Sequence, residues 1–264
     1  MKCLLLYYTG TFNTRYITEK VQAKLEKKGW TVSTYEIDPL KTEVLPLKEY
    51  DVVGLGYPIY GFNPPYPFMR FLKAQTFPEG QRVFIYKNSG ETLHANDASS
   101  SPIVNKLKRD KARIENECHF IMPYNIHFRF DENLVKEMLI MDEKLMDILV
   151  YEVSNDIPHF KPMTLWPRLV SAVVSRPQYI AGDVNSWFYR VDKDKCINCD
   201  LCIKRCPTQN IYRNAKGDIK FHHNCLMCMR CSLYCPKDAI HIGFLESWGW
   251  KVNRGYDFRK IEKI

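Results

Sequence analysis

The chain has 264 residues, which is enough for two domains or for one α/β domain with a smaller module attached. Apolar residues make up 45% and charged residues 26%, a composition that excludes a disordered protein. Lysine and arginine number 38 against 30 acidic residues, an excess that raises nucleic acid or an anionic membrane as partners. No stretch approaches the roughly 18 apolar residues of a membrane-spanning helix, and the N-terminal run lacks the features of a signal peptide. We therefore expect a cytoplasmic protein.

Strand and helix patterns alternate in the first part of the chain, before Pro158. The predicted strands are Lys2–Tyr8, Thr31–Glu36, Asp51–Gly56, Arg82–Asn88 and Cys118–Tyr124, and the predicted helices are Thr14–Lys28, Pro67–Gln75, Ser101–Arg109 and Glu132–Val153. Five strands with covering helices indicate an α/β fold with a doubly wound parallel sheet.

Three loops follow predicted strands and could hold a ligand at the carboxyl ends of the sheet. Their candidate residues are Thr9, Gly10, Thr11, Phe12, Asn13 and Thr14 in the first loop, Pro58, Ile59, Tyr60 and Gly61 in the second, and Asn88, Ser89, Gly90 and Glu91 in the third. Free N–H groups and hydroxyls in the first loop could bind a phosphate. Taken alone, the same loop could simply be a helix start capped by Asn13 or Thr14.

The first loop resembles the phosphate loop of flavodoxins, T-x-T-G-x-T, at Thr9, Thr11 and Thr14, whereas Phe12 replaces the glycine. The resemblance implies a five-stranded flavodoxin-like sheet that binds FMN, with the phosphate at the first loop and the flavin ring at the other two. Tyr60 is the candidate for stacking on that ring. Acid–base groups, if the protein has them, are expected near the flavin, with Tyr60, Lys87 and Glu91 as candidates.

Eight of the ten cysteines lie between Cys196 and Cys235, in two runs of the form C-x2-C-x2-C-x3-C-P at an offset of 29 residues. The runs resemble those of bacterial ferredoxins with two [4Fe-4S] clusters, over residues 189–246. The resemblance implies two crossed ligand sets: Cys196, Cys199, Cys202 and Cys235 for the first cluster, and Cys206, Cys225, Cys228 and Cys231 for the second. A pair of four-cysteine zinc sites is the alternative interpretation.

Short strands are predicted around the cysteine runs, at residues 188–191, 210–213, 218–221 and 240–244. Basic side chains sit beside the cysteines, among them Arg230, and positive charge there favours the reduced state of a cluster. We therefore expect these residues to raise at least one reduction potential. A solvated basic surface accounts for them equally well.

The two recognisable parts are joined by a connector and followed by a tail. We divide the chain into a flavodoxin-like domain at 1–157, a connector at 158–188, a ferredoxin domain at 189–246 and a tail at 247–264. Prolines break the connector, and its apolar segment 165–176 could be a membrane-surface helix or a helix wedged between the domains. The tail carries aromatic residues among basic ones; base stacking is one interpretation, and packing back on a domain is the one we favour.

The whole arrangement resembles the flavodoxin–ferredoxin fusion proteins of anaerobic bacteria. That resemblance implies FMN, two [4Fe-4S] clusters and electron transfer to an unidentified protein partner or small-molecule acceptor, as an oxidoreductase or flavoprotein. A pure electron carrier that docks to a larger enzyme is the alternative. A cluster-dependent sensor is a third interpretation, but no DNA-reading helix is recognisable and nucleic acid is not expected. Homodimerisation is compatible with the sequence.

Overall fold

The computed structural model describes residues 1–124, 126–127, 129–160, 169, 173, 177, 180–252 and 256–261. Its N-terminal domain contains a five-stranded parallel sheet built from β1 (Lys2–Tyr7), β2 (Thr31–Glu36), β3 (Val52–Pro58), β4 (Arg82–Ser89) and β5 (Arg113–Ile121). The strand order is β2-β1-β3-β4-β5, which is the flavodoxin-like order of doubly wound folds. The predicted fold class is therefore confirmed.

Both faces of the sheet are covered by helices. Helices α1 (Asn13–Lys27) and α4 (Glu132–Ser154) pack on one face, and α2 (Tyr66–Ala74) and α3 (Ser101–Arg109) pack on the other. Alternate residues of β1 enter opposite cores: Leu5 lies in the first and Leu6 in the second, each fully buried. Burial on both sides explains why β1 is an uninterrupted apolar run.

The C-terminal part contains only short elements. Its strands are β7 (Arg190–Val191) paired with β10 (Ile240–His241), and β8 (Ile211–Arg213) paired with β9 (Ile219–Phe221). Its helices are a segment whose described residues include 180–186 (α5), α6 (Leu201–Lys204) and α7 (Arg230–Leu233). These short strands agree with the predicted ones in position and enclose the cysteine runs.

The last predicted strand of the sheet begins earlier than expected. We predicted Cys118–Tyr124, whereas β5 starts at Arg113 and ends at Ile121. The run Arg113–Glu117 is polar, but β5 is an edge strand, and its buried Glu115 is neutralised by Arg82 at 2.6 Å. An ion pair across neighbouring strands thus permits a charged residue in the sheet.

The described part of the tail packs back on the N-terminal domain, as we favoured. Strand β11 (Lys251–Val252) pairs with β6 (Ile126–His127), and Ile261 on α8 (Phe258–Ile261) enters the core beside α1 and α4. The connector segment 165–176, for which a membrane-surface helix was considered, lies outside the described residues except for positions 169 and 173. Elsewhere in the described chain, no helix is both long and apolar enough to cross a bilayer.

Candidate functional site

Two small cavities in the C-terminal part are each lined by four cysteines. The first cavity is lined by Cys196, Cys199, Cys202 and Cys235, and the second by Cys206, Cys225, Cys228 and Cys231. We call these the first and second cysteine sets. In each set one thiol comes from the other run of the sequence. The two cavities are therefore lined by the same crossed sets of cysteines that the resemblance to ferredoxins implies.

The thiols of each set are spread around a cavity. A [4Fe-4S] cluster takes one cysteine on each of four irons, and four thiols line each cavity.

The two sets differ in their access to solvent. Cys199 of the first set is exposed, and the neighbouring Ile197 keeps 54% of its surface accessible. The second set has no exposed member, since Cys206 is buried and its other three thiols are intermediate. The first set is therefore the more accessible of the two.

A cavity of about 550 Å³ lies between the N-terminal domain and the second cysteine set. From the three predicted loops it is lined by Asn13, Pro58, Ile59, Tyr60, Gly61, Asn88, Ser89, Gly90 and Glu91, and from the cysteine runs by Cys225, Cys228 and the residues between and beside them, Leu226, Met227 and Met229. The structure thus brings the second and third loops together with the second set. From the first loop only Asn13 reaches this cavity.

Side-chain hydrogen bonds tie the loops around this cavity to one another. Thr14 Oγ1 donates to Asn88 Oδ1 at 2.7 Å, and Asn13 Nδ2 donates to the carbonyl of Pro123 at 2.9 Å. Neither Asn13 nor Thr14 caps α1, because the helix begins at Asn13 with Phe12 in the cap position and no side-chain cap. The polar residues of the first loop therefore position the neighbouring loops.

Phe12 adopts a left-handed backbone conformation, with φ of 77° and ψ of −20°. A residue other than glycine costs about 1–2 kcal/mol in this region. The backbone thus keeps the conformation that a glycine would favour at the matching position of the flavodoxin motif, although the side chain differs. Contacts of the Phe12 ring must offset the strain.

Those contacts join the first loop to the second cysteine set. The Phe12 ring lies 5.2 Å from the ring of Tyr234, and Gly10 faces Cys228, whose Cβ is 3.6 Å from where a Cβ on Gly10 would stand. Arg230 reaches Glu36 at the end of β2, with Nη2 at 3.9 Å from Oε1. The loop is therefore covered by the segment that carries Cys228 and Tyr234.

The two charged acid–base candidates are placed differently. Lys87 is 2% exposed, lies 2.5 Å from Glu117 and donates to the carbonyls of Asn96 and Asp97, so it holds the segment His94–Ser100 that follows the third loop. Glu91 lines the large cavity. Sequence reasoning missed His119, which shares a hydrogen bond of 2.8 Å with Ser89 and whose pKa is lowered to about 4 by burial and by Lys87.

The residues around the large cavity fit a flavin ring. Its volume lies within the usual range of about 300–1,000 Å³ for small-molecule sites, and apolar walls with a few amide groups are typical of such sites. Ile59, Tyr60 and Met122 supply apolar surface, and Asn88 and Asn96 supply amides. The fit at the phosphate end is poorer, because Gly10 and Phe12 are packed against the second cysteine set.

Several cavity residues were not predicted from the sequence. They are Phe62, Asn96, Met122, Pro123, Tyr124, Ile126, Ala181, Gly182, Asn185, Phe244, Leu245, Trp248 and Trp250. The aromatic content of the tail was the available signal for Trp248 and Trp250. For the others, no local sequence pattern distinguishes them from ordinary packing residues.

Comparison with known proteins supports the assignment of the C-terminal part. Residues 188–241 match the family model described as a 4Fe-4S dicluster domain. An uncharacterized ferredoxin of Methanocaldococcus jannaschii is 36% identical over 53 residues, which is 19% of this chain and 35% of that protein. Pyruvate synthase subunit PorD of Methanothermobacter marburgensis is 42% identical over 50 residues, 19% of this chain and 58% of that protein. The chain therefore matches between about a third and three fifths of the length of these two relatives.

Solved structures similar to the chain are flavodoxin-like. A flavodoxin from the domain Archaea has 14% identity and a TM-score of 0.41, and covers 58% of this chain and 99% of its own. Oxidised flavodoxin 2 from Bacillus cereus has 16% identity and a TM-score of 0.45, over 59% and 99%. General stress protein 14 from Treponema denticola, in complex with FMN, has 13% identity and a TM-score of 0.44, over 56% and 98%.

Strand order and cysteine pattern together indicate the class of protein. A flavodoxin-like α/β domain precedes a segment, residues 188–241, that matches the 4Fe-4S dicluster domain. The chain is consistent with a flavodoxin–ferredoxin fusion.

Proposed function

We propose that this protein passes single electrons between two [4Fe-4S] clusters, held by the first and second cysteine sets, and an FMN in the large cavity. One observation carries the proposal: this cavity is lined both by the second and third loops of the N-terminal domain and by Cys225 and Cys228. FMN, when bound, supplies a ring that accepts one or two electrons. The residues between Cys225 and Cys228 form the wall that the ring and the second cluster share.

The protein residues have three tasks in this proposal. The thiols hold the clusters and, with nearby charges and hydrogen bonds, set their potentials. Ile59, Tyr60 and Met122 exclude water from the flavin ring and orient it. Asn88 and Asn96 offer amide groups to its polar edge. Cofactors carry the electrons while the protein fixes distance and potential.

The partner is proposed to be a redox protein. Two of the similar proteins are pyruvate synthase subunits, which supports docking to a larger redox enzyme. The exposed Ile197 and Cys199 at the first set give such a partner access to the outer cluster.

The experiment that tests the proposal is an anaerobic purification with iron, sulfide and acid-released flavin counted per chain, followed by spectra during stepwise reduction. We expect about eight irons and one FMN, reduced in turn. Eight irons with no flavin, even after FMN is added, would contradict the flavin part of the proposal. Four irons or fewer in freshly loaded protein, or bound zinc, would contradict the cluster part.

A pure electron carrier is the second candidate, and the packing of the first loop favours it. Phe12 and Gly10 contact Tyr234 and Cys228, so the loop is a docking surface within the chain. A Phe12→Gly variant separates the two candidates. Flavin bound by the wild type supports the first candidate, whereas flavin bound only by Phe12→Gly, or by neither, supports the carrier.

A further inference from the structure

The hydroxyl of Tyr8 is buried at the contact between the two domains. Tyr8 follows the last residue of β1, is 0% exposed, and its Oη finds no hydrogen-bond acceptor among the described residues. A hydroxyl removed from water without a partner costs roughly 1–3 kcal/mol by mutational measures. A buried donor that remains unpaired in this way calls for an acceptor.

Arg230 is a cationic side chain beside this hydroxyl. Its guanidinium acts on the Tyr8 oxygen both electrostatically and as a hydrogen-bond donor, and its own Nε is buried without a partner among the described residues. Arginine only donates hydrogen bonds, so it cannot accept the Tyr8 proton. Arg230 therefore leaves the need for an acceptor unmet.

Sulfur atoms of the second set are acceptors that lie beside this part of the protein. Cys228 faces Gly10, two residues after Tyr8, with its Cβ 3.6 Å from where a Cβ on Gly10 would stand. A phenol, with an ordinary pKa of about 10, carries its proton at physiological pH and can donate.

We propose that Tyr8 donates a hydrogen bond to the sulfur of Cys228 when the second cluster is bound, so that the N-terminal domain tunes the potential of that cluster. A donor to a cluster sulfur stabilises the reduced, more negative state and raises the potential. The inference rests on the cluster assignment but not on FMN binding.

Tyr8→Phe removes the hydroxyl and keeps the ring. We expect the midpoint potential of one of the two clusters to fall by about 59 mV, which is a tenfold change in the equilibrium constant for one-electron reduction. Potentiometric titration followed by EPR measures both midpoint potentials. Tyr57→Phe is the matched control: Tyr57 is fully buried in the same core, but its hydroxyl pairs with Ser99 at 3.1 Å. The control should leave both midpoints unchanged.

The shifted cluster is identified by the hyperfine-shifted cysteine β-protons in NMR, with Cys228 assigned by selective labelling. A shift confined to the second cluster supports the proposal. No shift in Tyr8→Phe, equal shifts of both clusters, or a shift of the first cluster alone would overturn it. Flavin content is counted in the same preparation. The midpoint shift tests this proposal even if the protein contains no FMN, because the proposal depends only on the clusters.

A direct measurement on the wild type covers the case in which Tyr8→Phe fails to fold. In a crystal structure of the anaerobic holoprotein we expect Tyr8 Oη within hydrogen-bonding distance of Cys228 Sγ. A water molecule between the two atoms, or a Tyr8 hydroxyl bonded to another acceptor, would overturn the proposal.

Discussion

The rings of Phe12 and Tyr234 lie 5.2 Å apart, at 54° to each other, and join the first loop of the N-terminal domain to the segment that follows the second cysteine set. Arg15 also lies over the Phe12 ring, with its Cζ 5.0 Å from the centroid. These contacts offset the left-handed backbone of Phe12.

Tyr234→Ala should loosen this contact. An aromatic pair contributes about 0.5–1.5 kcal/mol beyond its buried area, so the amides of residues 9–14 should exchange with deuterium about fivefold faster in the anaerobic holoprotein. Tyr212→Ala is the control, because Tyr212 lies in the same domain but stacks on His222, at 4.1 Å. Equal exchange in the two variants would show that the Phe12–Tyr234 contact does not hold the domains together.

The crossed ligand sets predict which cysteine replacements behave alike. Cys235→Ala should remove the same cluster as Cys196→Ala, and Cys206→Ala the same cluster as Cys228→Ala, each leaving about four of eight irons. EPR of the remaining cluster identifies the pairs. If Cys206→Ala instead matched Cys196→Ala, each run would hold its own cluster and the crossed assignment would be wrong.

Asp142 on α4 should make stability depend on pH. Its carboxyl accepts a bond from the Ile121 N–H at 3.0 Å, and burial raises its pKa from 3.8 to about 7. The pKa of Asp142 is higher in the folded than in the unfolded protein. Its contribution to the free energy of unfolding is therefore fully present below about pH 4 and is lost as the pH rises to about 7. Between pH 5.5 and 7, wild type should lose about 2 kcal/mol relative to Asp142→Asn.

Thermal unfolding of the loaded protein, followed by near-UV circular dichroism at several pH values, measures this difference. Asp147→Asn, on the exposed side of the same helix, is the control. We expect its pH profile to parallel that of the wild type, since an exposed ion pair contributes at most about 1 kcal/mol. A parallel profile for Asp142→Asn as well would contradict the prediction.

Lys87→Met should be strongly destabilising. It leaves the half-buried carboxylate of Glu117 without its ion-pair partner, and breaking a pair that is buried on both sides costs about 3–5 kcal/mol. The segment His94–Ser100 should become more accessible to proteases, because Lys87 also binds the carbonyls of Asn96 and Asp97. Lys111→Met, whose exposed lysine pairs with Glu79, should change stability by less than about 1 kcal/mol. Equal melting temperatures for the two variants would exclude a structural role for the Lys87 pair.

The cysteine repeat and the sheet were predictable because their signals are local. Thiol spacing within one run and the apolar run of β1 can both be read within a dozen residues. The start of β5 was predicted wrongly, because the partner that neutralises Glu115 is Arg82, on the neighbouring strand. Local polarity is a poor guide wherever an ion pair crosses the sheet.

The large cavity was only half predictable. The loops after β3 and β4 line it, since the carboxyl ends of parallel strands share one edge. The opposite wall, which includes Met227 and Trp250, depends on how the ferredoxin-type domain docks. Phe12, which in the sequence was only a departure from a motif, takes part in that docking through Tyr234.

The unequal burial of the two cysteine sets also has a consequence for damage. Oxygen and chelators reach the cluster site beside the exposed Cys199 and Ile197 before they reach the one behind Cys228. We therefore expect the protein to lose its outer cluster first. A chain that has lost only the outer cluster would keep the inner one but could not exchange electrons with a partner. It would therefore lose its activity before it unfolds.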